Sequence, residues 1–122
     1  MRVRAARGAI VTRGPLADDV LTATERLLGA VLTANAIAID DLVSILFTAT
    51  EDLRSAFPAE AARRMGMGSV PLLCAQEIPV EGSMASVVRV LLHFYTERAP
   101  DEVAHVYLDG AESLRDDIDA GG

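Results

Sequence analysis

The sequence has 122 residues, the size of one domain, and 51% of them are hydrophobic, which excludes a disordered chain. Aromatic residues make up 4% and tryptophan is absent, so the core must be aliphatic. Eighteen acidic residues against eleven basic ones give a formal net charge of −7, which argues against nucleic acid or an anionic membrane as a partner. All eleven basic residues are arginines, which excludes a Schiff-base lysine and a lysine-containing phosphate loop.

Cysteine usage and the first residues indicate the compartment. Cys74 is the only cysteine, so neither an internal disulfide nor a cysteine-based zinc site can form, and a reduced cytoplasmic setting is expected. The basic residues within 2–7 are not followed by the apolar region of a signal peptide. No apolar run approaches the ~18 residues that cross a membrane, so we expect no membrane span.

Hydrophobic periodicity predicts the first two elements. Residues 2–11 alternate as a strand, with Arg7 among the odd-numbered residues on one face and Ile10 among the even-numbered residues on the other. A helix is predicted over 17–36, because apolar residues recur there with the 3.6-residue period. That apolar stripe comprises Val20, Leu21, Thr24, Leu27, Leu28, Val31 and Leu32.

Strands and one short helix are predicted for the rest of the chain. Pro58 opens the short helix, since the first helical position does not need the N–H that proline lacks, and Gly66 ends it. The strand over 86–96 is the clearest, with Arg89 on one face and Phe94 on the other. The other predicted strands cover 42–49, 69–77 and 103–108.

Five strands with one long and one short helix predict an α/β or α+β domain with a mixed sheet. We assign residues 1–115 to this single domain and residues 116–122 to a flexible C-terminal tail. One helix of about 20 residues cannot cover both faces of five strands. The second face, which holds Arg7 and Arg89, must meet something else, and a symmetric oligomer is the expected solution.

Two arginines lie mid-strand among apolar neighbours, where arginine is rarely buried without a partner. Arg7 and Arg89 fit either a structural ion pair with a carboxylate or recognition of a carboxylate or phosphate ligand by the planar guanidinium. Arg63, Arg64 and Arg115 fit a solvated surface.

Other candidate groups give weaker signals. Cys74 and Glu77 are three residues apart, which places them on opposite faces of an ideal strand, so a bend is needed to bring both to one site. His93 and His105 are too few for a metal site. Neither a nucleophile elbow nor a glycine-rich phosphate loop is present. The residues alone therefore predict a small oligomeric domain with anion-binding arginines.

An ordered set of segments resembles one family. The segments are Arg-Ala-Ala-Arg-Gly-Ala at 4–9, Phe-Thr-Ala-Thr-Glu-Asp-Leu at 47–53, Ala-Phe-Pro-Ala-Glu-Ala-Ala-Arg at 56–63, Val-Pro-Leu-Leu-Cys-Ala-Gln-Glu at 70–77, Val-Arg-Val-Leu at 88–91 and His-Val-Tyr-Leu at 105–108, with Leu114-Arg115. In this order and spacing, the chain from about residue 2 to residue 115 resembles the monofunctional chorismate mutases of the AroH type. No single segment is specific, but the ordered set is.

The resemblance implies an α+β subunit that packs as a trimeric pseudo-α/β-barrel, as in the Bacillus enzymes, with active sites at the subunit interfaces. It implies an isomerase that converts chorismate to prephenate, a step of the shikimate pathway toward phenylalanine and tyrosine. In this unimolecular Claisen rearrangement an ether C–O bond breaks as a C–C bond forms. The reaction needs no cofactor, metal or nucleophile, but it needs a restrained substrate and positive charge at the ether oxygen.

The resemblance also implies residue roles. Arg89 is expected beside the breaking ether oxygen as the main electrostatic catalyst. Arg7, aided by Tyr107, is expected to bind a substrate carboxylate, and Glu77 to accept a hydrogen bond from the ring hydroxyl with Cys74 beside it. Further substrate contacts are expected from Phe57 and Ala59 (a wall from the neighbouring subunit), Arg63 (the entrance), and Leu114 and Arg115 (a segment that closes over the ligand).

Two departures from the family pattern and two other functions bear on this interpretation. Glu60 stands where some members have lysine and Asp116 where the pattern often has proline, which makes the entrance and the closing segment less positive. A non-catalytic trimeric metabolite-binding module is one alternative, but binding alone does not need Arg89 at the ether oxygen. A Rid-type imine deaminase is the other, and the Cys-Ala-Gln-Glu and His-Val-Tyr-Leu segments favour the mutase over it.

Overall fold

The computed structural model describes residues 1–115, and the predicted tail at 116–122 lies outside them. Five strands and two helices form in the predicted order. They are β1 (Arg2–Val11), α1 (Ala17–Ala34), β2 (Leu42–Ala49), α2 (Ala59–Arg64), β3 (Leu72–Gln76), β4 (Val87–Thr96) and β5 (Val106–Leu108). Short 3₁₀ turns, which the sequence patterns did not predict, cover Ile39–Asp41, Pro100–Glu102 and Ala111–Leu114.

The strands form one mixed sheet in the order β3-β2-β4-β1-β5. The two central pairings, β2 with β4 and β4 with β1, are antiparallel, whereas the outer strands β3 and β5 pair in parallel with β2 and β1. The α+β class with a mixed five-stranded sheet is therefore confirmed.

Both helices lie on one side of the sheet, here called the helix side. The even-numbered residues of β1 and β4 face this side, and Ile10, Leu92 and Phe94 are fully buried there beneath α1. Gly8 allows the closest approach, because a Cβ at this position would lie 3.0 Å from Leu27 Cδ1. The core is mostly aliphatic, as the composition predicts, but its two largest fully buried side chains are Phe47 and Phe94. The two strand faces divide as the period of two predicts.

The opposite side, here called the open face, carries the odd-numbered residues of β1 and β4. The 3₁₀ turn Ala111–Leu114 packs on one corner of it together with Met84, where Ala9 and Val87 are buried. Apolar side chains elsewhere on this face reach solvent, among them Leu73, which is 61% exposed, and Tyr95. One chain thus leaves this face largely uncovered.

Two strands, β3 and β5, start three residues later than the sequence patterns predict, whereas β4 starts one residue later. Residues 69–71 do not begin β3, because the Val70 N–H bonds to the carbonyl of Met67 in a turn before Pro71. Residues 103–105 do not begin β5, because backbone groups here form hydrogen bonds with side chains instead of with the backbone of a neighbouring strand. The amide of Asn35, at the end of α1, donates to the Ala104 carbonyl (2.9 Å) and accepts from the Ala104 N–H (2.7 Å).

Candidate active site

Strand register places Arg89 at the centre of the open face. It lies opposite Ala9 of β1 on one side and Thr48 of β2 on the other. Tyr107 of β5 pairs with Ala9 on the far side of β1, so the three polar side chains stand in one row across four strands. Cross-strand partners share a face, which puts Tyr107, Arg89 and Thr48 on the same side of the sheet.

A carboxylate orients the Arg89 guanidinium. Glu77 Oε1 lies 3.2 Å from Arg89 Nε, and the Thr48 hydroxyl donates to the other carboxylate oxygen of Glu77. The angle at Nε does not meet hydrogen-bond geometry, so this buried N–H is held by charge attraction without an aligned acceptor. The Arg89 side chain is still 43% exposed, which leaves its outer nitrogens accessible to a ligand. The ion-pair interpretation and the ligand interpretation of Arg89 are therefore compatible.

Arg7 lies on the same face, two residues along β1 from Ala9. Its side chain is exposed, and no carboxylate of residues 1–115 forms an ion pair with it. Its backbone N–H donates to Nδ1 of His105 over 3.0 Å. Among the described residues, the Arg7 guanidinium thus has no carboxylate partner and can bind an anionic ligand.

Tyr107 marks the point where three arginines converge. Partial burial raises the pKa of its phenol, and the charges of Arg7, Arg89 and Arg115 act in the opposite direction. The guanidinium carbon of Arg115 lies 5.9 Å from the centre of the Tyr107 ring, within the range of a cation–π contact. The phenol therefore stays protonated at neutral pH and can donate a hydrogen bond among three positive charges.

The closing segment predicted from the resemblance begins on this face. Leu114 and Tyr107 both pack against the buried cluster that contains Ala9 and Val87. Arg115 is the last described residue, and Asp116 lies beyond it. The first two residues of this segment, Leu114 and Arg115, therefore already lie beside Tyr107.

Cys74 and the α2 residues lie on the other side of the sheet. Cys74 pairs with Phe47 and packs against the helix-side core, so Cys74 and Glu77 are on opposite faces, as their spacing predicts. Cys74 and Phe57 line a helix-side groove of about 510 Å³. The Phe57 side chain is 73% exposed, whereas Ala59 is buried within α2.

The arginines of α2 share one carboxylate. Glu60 Oε2 lies 3.4 Å from Arg63 Nη1, and Glu60 Oε1 lies 3.4 Å from Arg64 Nε. All three side chains are exposed by about half, as a solvated helix surface predicts. Within one chain, neither Arg63 nor Phe57 lies beside the row of Tyr107, Arg89 and Thr48.

Two polar residues of the open face were missed by the sequence analysis. Thr48 supports Glu77, but its position opposite Arg89 depends on strand register, which the sequence does not show. His105 Nδ1 accepts a hydrogen bond from the Arg7 N–H, a role that the sequence pattern does not indicate. Its partial burial, followed by the charges of Arg7 and Arg115, lowers its pKa.

Within residues 1–115, no group of three or more histidine, cysteine, aspartate and glutamate side chains is arranged to hold a metal ion. No helix in this part of the chain is long and apolar enough to cross a membrane.

The fold and the open face define a class: a small α+β domain whose sheet presents converging arginines for an anionic ligand. Residues 3–118 match the family model of chorismate mutase type I. The chain therefore belongs to the type I chorismate mutase family, whose members are isomerases.

Relatives and a solved structure agree with this assignment. The chain is 48% identical to "Chorismate mutase AroH" of Thermus thermophilus over 97% of this chain and 98% of the relative. It is 34% identical to "Chorismate mutase AroH" of Bacillus subtilis (strain 168) over 97% of this chain and 94% of the relative. A solved structure of a chorismate mutase from Clostridium thermocellum superposes with a TM-score of 0.90 at 42% identity, covering 91% of this chain and 99% of that one. These findings do not favour the binding module or the imine deaminase.

Proposed function

We propose that this chain binds chorismate on the open face and converts it to prephenate as a chorismate mutase of phenylalanine and tyrosine biosynthesis. The observation that supports this most is the convergence of Arg7, Arg89 and Arg115 around the protonated Tyr107. The chain carries a net charge of −7, so this local concentration of positive charge runs against its overall balance. A dianionic substrate is the kind of ligand that such a site attracts.

The rearrangement needs a preorganised site more than reactive groups. Within one molecule, the ether C–O bond breaks while a C–C bond forms, and no proton or electron leaves or enters. The site must hold the substrate in its compact reactive conformer and stabilise the negative charge that grows on the ether oxygen. We assign the second task to Arg89, because Glu77 and Thr48 hold its inner edge while its outer nitrogens remain accessible.

The other residues of the candidate site serve binding. Arg7 takes a substrate carboxylate with its free guanidinium, and Tyr107 donates a hydrogen bond to the same group. Glu77, already fixed by Thr48, has a second acceptor oxygen for the ring hydroxyl. Cys74 acts through its backbone, since its thiol faces the helix side while β3, an edge strand, has backbone groups free on its outer side. Leu114 and Arg115 close over the bound ligand.

The site is completed in a homotrimer whose open faces pack together as a pseudo-barrel. One chain exposes apolar side chains such as Leu73 on this face, and the burial of such a surface favours association. The neighbouring subunit supplies the exposed Phe57 as a wall and Arg63 at the entrance. Ala59, buried in α2, contributes by fixing the position of Phe57.

Residues 1–115 form the single catalytic domain in this proposal, and residues 116–122 lie outside the part of the chain that the structure describes. The enzyme requires no cofactor and works in the cytoplasm, in keeping with its single cysteine.

Incubation of the purified protein with chorismate tests the function directly. We expect loss of the ultraviolet absorbance of chorismate, with prephenate as the identified product, from a species whose mass by light scattering is that of a trimer. Stabilisation by chorismate without conversion would establish a binding module instead. A protein that neither converts chorismate nor is stabilised by it would overturn the proposal.

A further inference from the structure

One histidine ring replaces a backbone group where β5 joins the sheet. The parallel ladder between β1 and β5 begins with Gly8 opposite Val106. One step earlier, the Arg7 N–H donates to Nδ1 of His105 instead of to a backbone carbonyl (3.0 Å). This side-chain bond therefore connects the backbone of the arginine that faces a ligand to the strand that carries Tyr107.

The bond requires one protonation state of the ring. Nδ1 can accept a hydrogen bond only when it carries no proton, so a neutral His105 has its proton on Nε2. A doubly protonated ring would turn a donor toward the donor of Arg7. The charged groups that bear on the ring within residues 1–115 are Arg7 from β1 and Arg115 beyond the last 3₁₀ turn. Tyr107, two residues further along the chain in β5, is neutral. Both charges are positive and both oppose protonation, as partial burial does.

We propose that His105 is a positioning residue, whose neutral Nδ1 holds the Arg7 backbone and so fixes Arg7 and Tyr107 relative to each other for the substrate carboxylate. This inference rests on the proposed function, because it takes Arg7 and Tyr107 as the carboxylate site. His105 itself does not touch the substrate. Its loss should therefore act on substrate binding more than on the chemical step.

Three variants separate positioning from general stability. His105→Ala removes the acceptor, whereas His105→Asn keeps an acceptor oxygen near the place of Nδ1 and does not titrate. His93→Asn is the matched control, since His93 is the other histidine of the chain and is also half-buried on the open face. KM and kcat are measured from about pH 5 to pH 8, with thermal melting of each variant at every pH.

We expect His105→Ala to raise KM about tenfold with a smaller change in kcat, the size of effect that one lost hydrogen bond produces. His105→Asn should restore KM at neutral pH. As the pH falls below the ordinary histidine pKa of 6.5, KM should rise in the wild type and in His93→Asn, but not in His105→Asn. Wild-type KM in His105→Ala, or an acid rise that persists in His105→Asn, would overturn the proposal.

Nitrogen spectra of the histidine rings give a readout that does not depend on activity. We expect the neutral ring of His105 to carry its proton on Nε2, and the Arg7 amide resonance to shift as that ring is protonated. A proton on Nδ1 in the neutral ring would refute the positioning role even if the enzyme is active. If the ring behaves as expected while chorismate is not converted, the proposed function fails, but the hydrogen bond from the Arg7 N–H to His105 Nδ1 is confirmed.

Discussion

Arg89 Nε lies 3.2 Å from Glu77 Oε1, yet the two atoms are not aligned as a hydrogen bond. The carboxylate is held from its other oxygen by the hydroxyl of Thr48, so its position is not set by Arg89 alone. The pair leaves the outer edge of the guanidinium free. Because the cation is oriented before the substrate arrives, little reorganisation is needed when charge develops on the ether oxygen.

Removal of the Arg89 charge should affect turnover more than binding. We expect Arg89→Ala to lower kcat by about 10²- to 10³-fold, the loss seen when one preorganised donor is removed from a developing negative charge. Steady-state kinetics with chorismate measure this, and Arg2→Ala is the control that removes one exposed positive charge from the same sheet. A kcat for Arg89→Ala within about fivefold of wild type would contradict the mechanism.

The chemical step should be insensitive to pH across the neutral range. No proton moves in the rearrangement, the pKa of His105 lies below its ordinary value of 6.5, and the pKa of Tyr107 lies above its ordinary value of 10.0. His105 is thus neutral and Tyr107 protonated, so kcat should stay constant from about pH 7 to pH 9. A pH–rate profile with a bell shape centred in this range would indicate acid–base catalysis instead.

Linkage predicts how His105 affects folding stability. A histidine whose pKa is lower in the folded protein stabilises the fold fully above its unfolded pKa, and this contribution is lost as pH falls through the folded pKa. The melting temperature should therefore fall less between about pH 7 and pH 5 in His105→Asn than in the wild type. An equal fall in the two proteins would show that another group is responsible.

Glu60 should weaken the attraction of the entrance for an anionic substrate. Its carboxylate lies 3.4 Å from both Arg63 Nη1 and Arg64 Nε, so it competes with a ligand for Arg63. We expect Glu60→Gln to lower KM about two- to threefold at low ionic strength without changing kcat, and the effect to disappear near ~0.5 M salt because the groups are exposed. Glu25→Gln, which removes the same charge from α1, should leave KM unchanged. A KM unaffected by Glu60→Gln would exclude Arg63 from the entrance.

The two faces of the sheet follow from sequence because a strand has a period of exactly two residues. Arg89 and Phe94 are therefore assigned correctly to opposite faces before any strand pairing is known. The starts of β3 and β5 are not predictable in this way. Whether residues 103–105 join the ladder depends on Asn35 and His105, whose side chains occupy backbone positions that only the folded chain brings near.

The residues of the candidate site also divide into those that the sequence predicts and those that depend on contacts formed only in the folded chain. Arg7, Arg89 and Tyr107 are found by resemblance to a family and placed by strand period. Thr48 escapes both, because its role needs the register of β2 against β4, and one shifted residue would turn it to the helix side. The carboxylate of Glu77 could be expected near Arg89, but the hydrogen bond that the Thr48 hydroxyl donates to it could not.

Mixed trimers test whether each active site draws on two subunits. In the proposed arrangement Arg89 comes from one chain, while the exposed Phe57 and Arg63 come from its neighbour. We expect Arg89→Ala and the double variant Phe57→Ala/Arg63→Ala each to have little activity alone. When the two are co-refolded in equal amounts, about a quarter of the sites should be intact, since each draws at random on two chains. Activity recovered toward a quarter of wild type would support the shared site, with each variant refolded alone as the control. No recovery would place all essential groups within one chain, and an active double variant would exclude Phe57 and Arg63 from the site.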